Sequence, residues 1–125
     1  DKHNIRHLCV WKGWIDDDEK LSLLNECHAL IIASLWEGFG LPALEAMACG
    51  TPVIASDRGA LREVMGNYGY FINPFNIQSI AFAMNAVIND KKCFEKALQE
   101  GPSRAESFNW LDTARTIEKI IQEID

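Results

Sequence analysis

One strand–loop–helix segment constrains the fold of this chain more than any other part of its sequence. Residues 29–34 form a short apolar run, which is typical of a strand covered on both faces in a parallel sheet. A loop with two glycines follows, and residues 41–49 then begin with Leu-Pro and continue with good helix formers. Pro42 suits the first helical turn, and Gly50 is expected to end the helix. The segment predicts one β–loop–α unit of an α/β fold.

The loop between this strand and this helix carries groups that fit a sugar phosphate. Residues 38–41 place backbone N–H groups at the helix start, which favours a phosphate. Glu37 precedes the helix and Glu45 lies on its first full turn, where a carboxylate can accept hydrogen bonds from the vicinal hydroxyls of a sugar or ribose. Each glutamate alone would be explained as a surface carboxylate or a partner of the helix dipole. Their joint position around the glycine loop favours the ligand site.

The rest of the chain alternates between strand and helix patterns. We predict strands at residues 8–12, 29–34, 52–56 and 70–72, and helices at residues 17–28, 41–49, 60–65, 77–89, 91–107 and 110–124. This alternation, closed by helices, predicts a parallel sheet with helices on its faces. The last helix has Asn109 as its expected cap and an apolar stripe that should pack in the core, formed by Ile117, Ile120, Ile121 and Ile124.

Composition excludes several classes of protein. With 125 residues, of which 48% are hydrophobic, the chain is one domain with a sizeable core. A formal charge of −6 without a basic stripe argues against binding to nucleic acid. No apolar run approaches the ~20 residues of a membrane span, and no signal sequence opens the chain, so we expect a cytoplasmic protein. The cysteines have no metal-ligand spacing and are expected to be buried reduced thiols: Cys9, Cys27, Cys49 and Cys93.

Three further features of the sequence are candidate sites. The acidic run at residues 16–19 fits a hard-metal cluster less well than an acidic first helical turn, so we predict a helix start and no metal site. Arg58 follows a strand end, where either a phosphate contact or simple turn chemistry would explain it, and we favour the turn. The histidines are too scattered to form a recognisable base or ligand set.

The segment from Glu37 to Ser56 resembles a known family. Its Glu-x7-Glu frame, filled by Gly-Phe-Gly-Leu-Pro-Ala-Leu and continued by Ala-Met-Ala-Cys-Gly-Thr-Pro-Val-Ile-Ala-Ser, resembles the C-terminal half of family 4 retaining glycosyltransferases (glycosyl transferases group 1). That resemblance implies the GT-B fold, in which two Rossmann-like domains face each other across a cleft. Residues 10–19 resemble the strand and turn before the motif, and residues 69–74 resemble the last sheet strand. The similarity thins after Asn76.

The resemblance implies a role for each motif residue. Glu37 would be the catalytic-site residue that binds donor-sugar hydroxyls, as a positioning group and not as a nucleophile. Glu45 would bind the ribose. The loop Gly38, Phe39, Gly40 and Leu41 would hold the sugar and diphosphate through its backbone N–H groups, and the turn Gly13, Trp14, Ile15 and Asp16 would lie near the base.

The implied reaction moves a sugar from a nucleotide diphosphate sugar to an acceptor hydroxyl with retention, in glycan biosynthesis. No metal or other cofactor is expected, because N–H groups and basic side chains stabilise the leaving phosphate in this fold. Residues 1–125 are interpreted as a partial C-terminal nucleotide-sugar-binding domain. An acceptor-binding N-terminal domain, the first strands and an upstream Arg and Lys pair would lie outside it, so the chain alone is expected to be inactive. That absent domain is the expected partner of this chain. A peripheral contact with a membrane, made through the absent domain, is left open.

Two alternatives stay open at this point. A GT-B sugar-nucleotide epimerase shares the cleft but should lack the Glu-x7-Glu frame with its Gly-Phe-Gly turn. A catalytically silent nucleotide-sugar-binding module would keep all the residues named above.

The family's strand order, 3-2-1-4-5-6, also gives an expectation for the sheet. By resemblance this chain supplies the third to the sixth strand, so the strand at residues 8–12 would lack its natural neighbour. We expect it to pair with residues 30–34 or with another chain through an open sheet edge. The strands at residues 30–34, 52–56 and 70–72 should be parallel and in native order.

Overall fold

The computed structural model describes residues 3–124 as an α/β fold. In chain order its elements are a 3-10 helix at Arg6–Leu8, α1 at Asp17–Glu26, β1 at Leu30–Ile32, α2 at Leu41–Ala48, β2 at Val53–Ser56, α3 at Leu61–Met65, β3 at Tyr70–Ile72, α4 at Ile77–Asn89, α5 at Lys91–Glu106 and α6 at Trp110–Ile124.

The strands form one parallel sheet in the order β1-β2-β3. Ile31 lies opposite Ile54, and Ala55 lies opposite Phe71. All four residues of the central strand β2 are buried, which explains why that strand reads as an unbroken small and apolar run. The predicted α/β class and the parallel order of these strands are confirmed.

Helices cover both faces of the sheet. Successive side chains of β2 point to opposite faces, so they pack in two different clusters. Val53 and Ala55 pack in a core cluster with residues of α2, α3 and α5, including Met47 and Leu61. Ile54 packs on the other face in a second cluster, formed with β3 and α4, that includes Ala83. The sheet is therefore the middle layer of three, as expected for a Rossmann-like unit.

Helix α5 lies against α2 at a distance that only a glycine allows. A Cβ added at Gly101 would lie 2.5 Å from the carbonyl oxygen of Met47 and 2.9 Å from the hydroxyl oxygen of Tyr68. The next residue, Pro102, also lies inside this helix. The Tyr68 hydroxyl donates to the carbonyl oxygen of Thr51 at 2.8 Å, so both its polar atom and its ring are used in this packing.

The predicted strand at residues 8–12 is wrong. Leu8 ends the 3-10 helix, the following residues have no regular structure, and Val10 and Trp11 are 82% and 92% exposed. A strand needs a hydrogen-bonding neighbour as well as an apolar sequence, and among residues 3–124 β1 pairs only with β2. The expected pairing of this segment with β1 is therefore also wrong, while pairing with another chain stays a prediction.

The predicted core packing of α6 is wrong as well. The stripe residues Ile117 and Ile124 are 54% and 79% exposed, and no described residue of this helix is buried. The periodic pattern correctly indicates an amphipathic helix, but it cannot say which surface covers the apolar face. The predicted cap is confirmed, because the side-chain oxygen of Asn109 accepts a hydrogen bond of 2.8 Å from the N–H of Asp112.

The cysteines are all free, but their predicted burial is only partly correct. Cys27, Cys49 and Cys93 are half-buried, and burial raises the pKa of each thiol. Cys9 is exposed, since it lies in the segment that forms no strand. Within residues 3–124, no helix combines the length and apolar character that crossing a bilayer requires.

Candidate functional site

The candidate site lies at the carboxyl edge of the parallel sheet, where ligands bind in open α/β folds. Residues 33–40 connect the end of β1 to the start of α2. The hydroxyl of Ser56, the last residue of β2, donates to the carbonyl oxygen of Ser34 at 2.6 Å. This bond joins the two neighbouring strand ends and fixes the base of the loop.

The loop presents backbone N–H groups that have no partner in the described part of the chain. Within residues 3–124, no hydrogen bond is donated by the N–H groups of Gly38, Phe39, Gly40 and Leu41. Gly40 is the N-cap of α2, and its carbonyl oxygen accepts a bond of 2.9 Å from the N–H of Ala43. The helix start thus offers unpaired donors and the positive end of its dipole to an anion.

A glycine is required at position 40. Its φ of 98° lies in the left-handed region, and an added Cβ would lie 2.7 Å from Cδ2 of Leu61. Pro42 lies in the first turn of α2, as predicted, where its missing N–H costs no helical hydrogen bond.

Glu37 is held at the start of the loop by both its side chain and its backbone. Its Oε1 accepts a bond of 2.7 Å from the hydroxyl of Ser34, and its carbonyl oxygen accepts a bond of 3.2 Å from the N–H of Ala60. A Cβ added at Gly59 would lie 2.6 Å from that carbonyl oxygen. Among the described residues no hydrogen bond reaches Oε2 of Glu37, so half of this carboxylate can accept from a ligand.

Glu45 is paired with a cation that the sequence did not indicate. Its Oε1 accepts a bond of 2.9 Å from Nζ of Lys20, and the same ammonium lies 3.0 Å from Asp17. Hydrogen bonds to Glu45 and Asp17 raise the pKa of Lys20. In the described part of the chain, Oε2 of Glu45 receives no hydrogen bond. The pair also links the start of α1 to α2, which brings the turn before α1 toward the ribose candidate.

The predicted base-proximal turn is largely exposed. Trp14 is 89% exposed, and Ile15 is half-buried. The side chain of Asp16 accepts a bond of 2.8 Å from the N–H of Glu19 and caps α1. The prediction of a helix start at residues 16–19 is confirmed, and the Asp16 carboxylate is committed to that role. Gly13 has a φ of 68°, which sets the bend of this turn.

The turn after β2 is stabilised by its own residues. Asp57 and Arg62 form a two-point ion pair in which Nη2 donates to Oδ2 at 2.7 Å, and this contact lowers the pKa of Asp57. The Arg58 guanidinium lies 5.2 Å from the ring centroid of Phe75. Turn chemistry explains this segment, and a contact between Arg58 and a phosphate stays a prediction.

An apolar cavity lies beside the loop at residues 38–41. Its volume is about 420 Å³, and its lining includes Phe39, Leu41, Phe108 and Trp110. No sequence pattern indicates this cavity, because it depends on where the junction of α5 and α6 lies. No group of three or more His, Cys, Asp or Glu residues within positions 3–124 could hold a metal ion.

Comparisons with known proteins agree with this geometry. A family model described as "Glycosyl transferases group 1" matches residues 1–104. The serotype-specific mannosyltransferase WbdA of Escherichia coli is 33% identical over 109 residues, which are 87% of this chain and 13% of that protein. The chain therefore spans a small part of the length of this relative.

Solved structures show the same architecture. Sucrose-phosphate synthase (tll1590) from Thermosynechococcus elongatus superposes with a TM-score of 0.85 at 28% identity, covering 98% of this chain and 32% of that one. The C-terminal domain of a glycosyl transferase group 1 family protein (LpcC) from Francisella tularensis gives a TM-score of 0.65 at 38% identity, covering 76% of this chain and 50% of that one. The chain belongs to the glycosyl transferases group 1 family and corresponds to part of the C-terminal domain of the GT-B fold.

Proposed function

We propose that this chain is the donor-binding part of a retaining glycosyltransferase, which moves a sugar from a nucleotide diphosphate sugar to an acceptor hydroxyl. The observation that carries the proposal is a set of N–H groups at residues 38–41 that find no hydrogen-bond partner among residues 3–124, flanked by two glutamates that each keep one carboxylate oxygen without a partner there. Donors for a diphosphate and acceptors for hydroxyls then lie on one helix start.

In this proposal the N–H groups at residues 38–41 bind the diphosphate of the donor. They stabilise the negative charge that grows on the leaving nucleoside diphosphate as the bond to the sugar breaks. Because the donors are fixed by the loop and by α2, they need no reorganisation during the reaction. The proposed chemistry therefore uses no divalent cation.

The two glutamates have different proposed roles. Oε2 of Glu37 accepts from hydroxyls of the donor sugar, while Ser34 fixes the orientation of the carboxylate through Oε1. Oε2 of Glu45 accepts from the ribose, with Lys20 fixing Oε1 in the same way. Glu37 thereby positions the sugar, and Glu45 contributes to the affinity for the nucleotide.

The acceptor site and the rest of the catalytic machinery are proposed to lie in a larger protein. The aligned segment is 13% of the mannosyltransferase and 32% of the sucrose-phosphate synthase chain, so most of each of those proteins lies outside the part that this chain matches. We therefore expect the chain alone to bind donor nucleotides without transferring sugar.

Calorimetry on the chain tests the roles of the two glutamates. UDP, GDP and ADP are titrated first, and the nucleotide sugars of the nucleotide that binds are titrated next. Glu45→Ala should weaken binding of the nucleoside diphosphate by about 1 to 3 kcal/mol, through loss of charged hydrogen bonds. Glu37→Ala should leave nucleoside diphosphate binding unchanged and remove the added affinity that the sugar contributes.

Glu95→Ala is the matched control, because Glu95 is also a helical glutamate but lies on α5 beside a cavity lined by His28 and Phe94. It should bind every nucleotide as the wild type does. Equal affinity of wild type and Glu45→Ala for the nucleoside diphosphate would refute the ribose role. Absence of binding for all three nucleotides would refute the proposed function itself.

A further inference from the structure

The middle of the proposed diphosphate loop, residues 38–40, has only one side chain that other elements of the protein can contact. Between Glu37 and Leu41 the sequence is Gly-Phe-Gly, so Phe39 is the only residue there with a side chain. A Cβ added at Gly38 would meet no atom within 4 Å, which shows that this part of the loop is open. The peptide groups on either side of Phe39 are therefore oriented from outside the loop mainly through its ring.

The Phe39 ring contacts one aromatic residue from a distant part of the chain. Its centroid lies 5.8 Å from that of Phe108, and the two planes meet at 85° in an edge-to-face arrangement. This is a favoured aromatic geometry, and it restricts the direction of the ring as well as its distance. Phe108 lies between α5 and α6 and is half-buried, whereas Phe39 is 43% exposed. The better buried ring supports the more exposed one.

Phe108 is in turn fixed by Arg104 at the end of α5. The guanidinium carbon lies 4.7 Å from the Phe108 ring centroid. The same guanidinium donates to the carbonyl oxygens of Val64 at 2.9 Å and Glu63 at 2.5 Å, in α3. Two hydrogen bonds hold its plane, so the ring stacks on a group that cannot turn freely.

Helix α3 also contacts the other end of the loop. Leu61, in its first turn, packs where a side chain at Gly40 would be. The loop is therefore held on one side by α3 directly and on the other by α3 through Arg104, Phe108 and Phe39. The same short helix, α3, therefore supports both ends of the Gly-Phe-Gly segment.

We propose that Phe108, fixed by Arg104, is a positioning residue that sets the direction of the N–H groups of Phe39 and Gly40 through the Phe39 ring. For its ligand this inference rests on the proposed function, because the N–H groups are those assigned to the diphosphate. Phe108 does not touch the donor. It acts by keeping the donors of the loop in one arrangement before the ligand arrives.

The direct test is a measurement of loop motion that needs no ligand. In Phe108→Ala, backbone ¹⁵N relaxation should show the order parameters of residues 38–40 falling from about 0.85 toward 0.6 or lower. Phe108→Tyr keeps the ring and should keep the order parameters. Phe94→Ala is the control, because Phe94 is an aromatic residue near the opposite end of α5, where it lines a cavity with His28. It should leave the loop unchanged.

The second readout is binding of UDP or GDP by calorimetry. Phe108→Ala should bind the nucleoside diphosphate roughly 3- to 10-fold more weakly, the size expected for loss of one aromatic pair, while Phe108→Tyr stays within about twofold of the wild type. If Phe108→Ala does not fold, Phe108→Leu replaces it, since leucine keeps the apolar volume but not the edge-to-face contact. Urea unfolding of each variant identifies a general loss of stability.

The two proposals fail in different ways. Unchanged order parameters at residues 38–40 in Phe108→Ala, or an equal change in Phe94→Ala, would overturn the positioning role whether or not nucleotides bind. If the wild type binds no nucleotide and the loop still becomes mobile in Phe108→Ala, the proposed function fails and the positioning role of Phe108 stands.

Discussion

Gly59→Ala is expected to be among the most damaging single-atom additions at the exposed surface of this protein. Gly59 has a φ of 58°, and an added Cβ would lie 2.6 Å from the carbonyl oxygen and 3.0 Å from the backbone nitrogen of Glu37. Both atoms belong to the backbone, so no side-chain rotation can relieve the contact. Either the turn after β2 or the start of the motif loop must move.

Two costs and one gain determine the size of the effect. The left-handed conformation costs an alanine about 1 to 2 kcal/mol, and relieving an overpacked contact costs typically about 1 to 3 kcal/mol. The lower entropy of the unfolded alanine chain returns about 0.4 to 1 kcal/mol. The free energy of unfolding should therefore fall by about 3 kcal/mol, which corresponds to a decrease in Tm of roughly 12 °C for a domain of this size.

Gly38→Ala is the matched control, because Gly38 is also an exposed glycine, in the same loop region. An added Cβ there meets nothing within 4 Å, and its φ is not in the left-handed region. Its free energy of unfolding should change by no more than about 0.5 kcal/mol. Urea unfolding followed by circular dichroism compares the two variants. Equal stability of Gly59→Ala and Gly38→Ala would refute the close approach between the turn and the motif.

Three further outcomes are expected. Ser56→Ala removes the buried hydroxyl that joins the ends of β1 and β2, and it should lower the free energy of unfolding by about 1 kcal/mol in urea titrations. Tyr68→Phe should lose a similar amount at pH 7, and the difference from wild type should shrink above about pH 10. Burial raises the pKa of Tyr68 in the folded state, so above about pH 10 this tyrosine ionises only in the unfolded chain and the stability of the wild type falls. The phenylalanine variant lacks this loss. Parallel curves of stability against pH for the two proteins would contradict the prediction. Sugar transfer by the proposed larger protein should survive EDTA, and loss of turnover that Mg²⁺ or Mn²⁺ restores would contradict the metal-free proposal.

Strands buried on both faces could be predicted from the sequence, and the exposed N-terminal segment could not. Residues 53–56 read as a strand because both sides of β2 are covered, so the apolar run itself carries the information. Residues 8–12 have a similar apolar character, but Val10 is 82% exposed and no strand forms. Strand formation depends on a neighbour in space, and a single sequence does not name that neighbour.

The candidate site shows the same division. The spacing of Glu37 and Glu45 around the glycine loop is local, so the sequence could indicate it. The partners of these glutamates depend on the folded structure: Lys20 lies 25 positions from Glu45 along the chain, and Gly59 reaches Glu37 from the turn after the next strand. The edge-to-face contact of Phe39 with Phe108 is still more distant in sequence. Pattern reasoning finds groups on one element and misses groups that two elements bring together.

The adjacent Gly101 and Pro102 have a consequence for how this protein folds. Both residues are poor helix formers, with costs of about 1 and 3 kcal/mol relative to alanine, yet both lie inside α5. Isolated helices are marginal even with favourable sequences, so this part of α5 should have little helical structure before it contacts α2. Its helix and its packing against the Met47 carbonyl are expected to form in one step. Since α2 begins at the proposed diphosphate loop, the helix that supports the candidate site becomes fully packed only when residues more than 50 positions later in the chain have arrived.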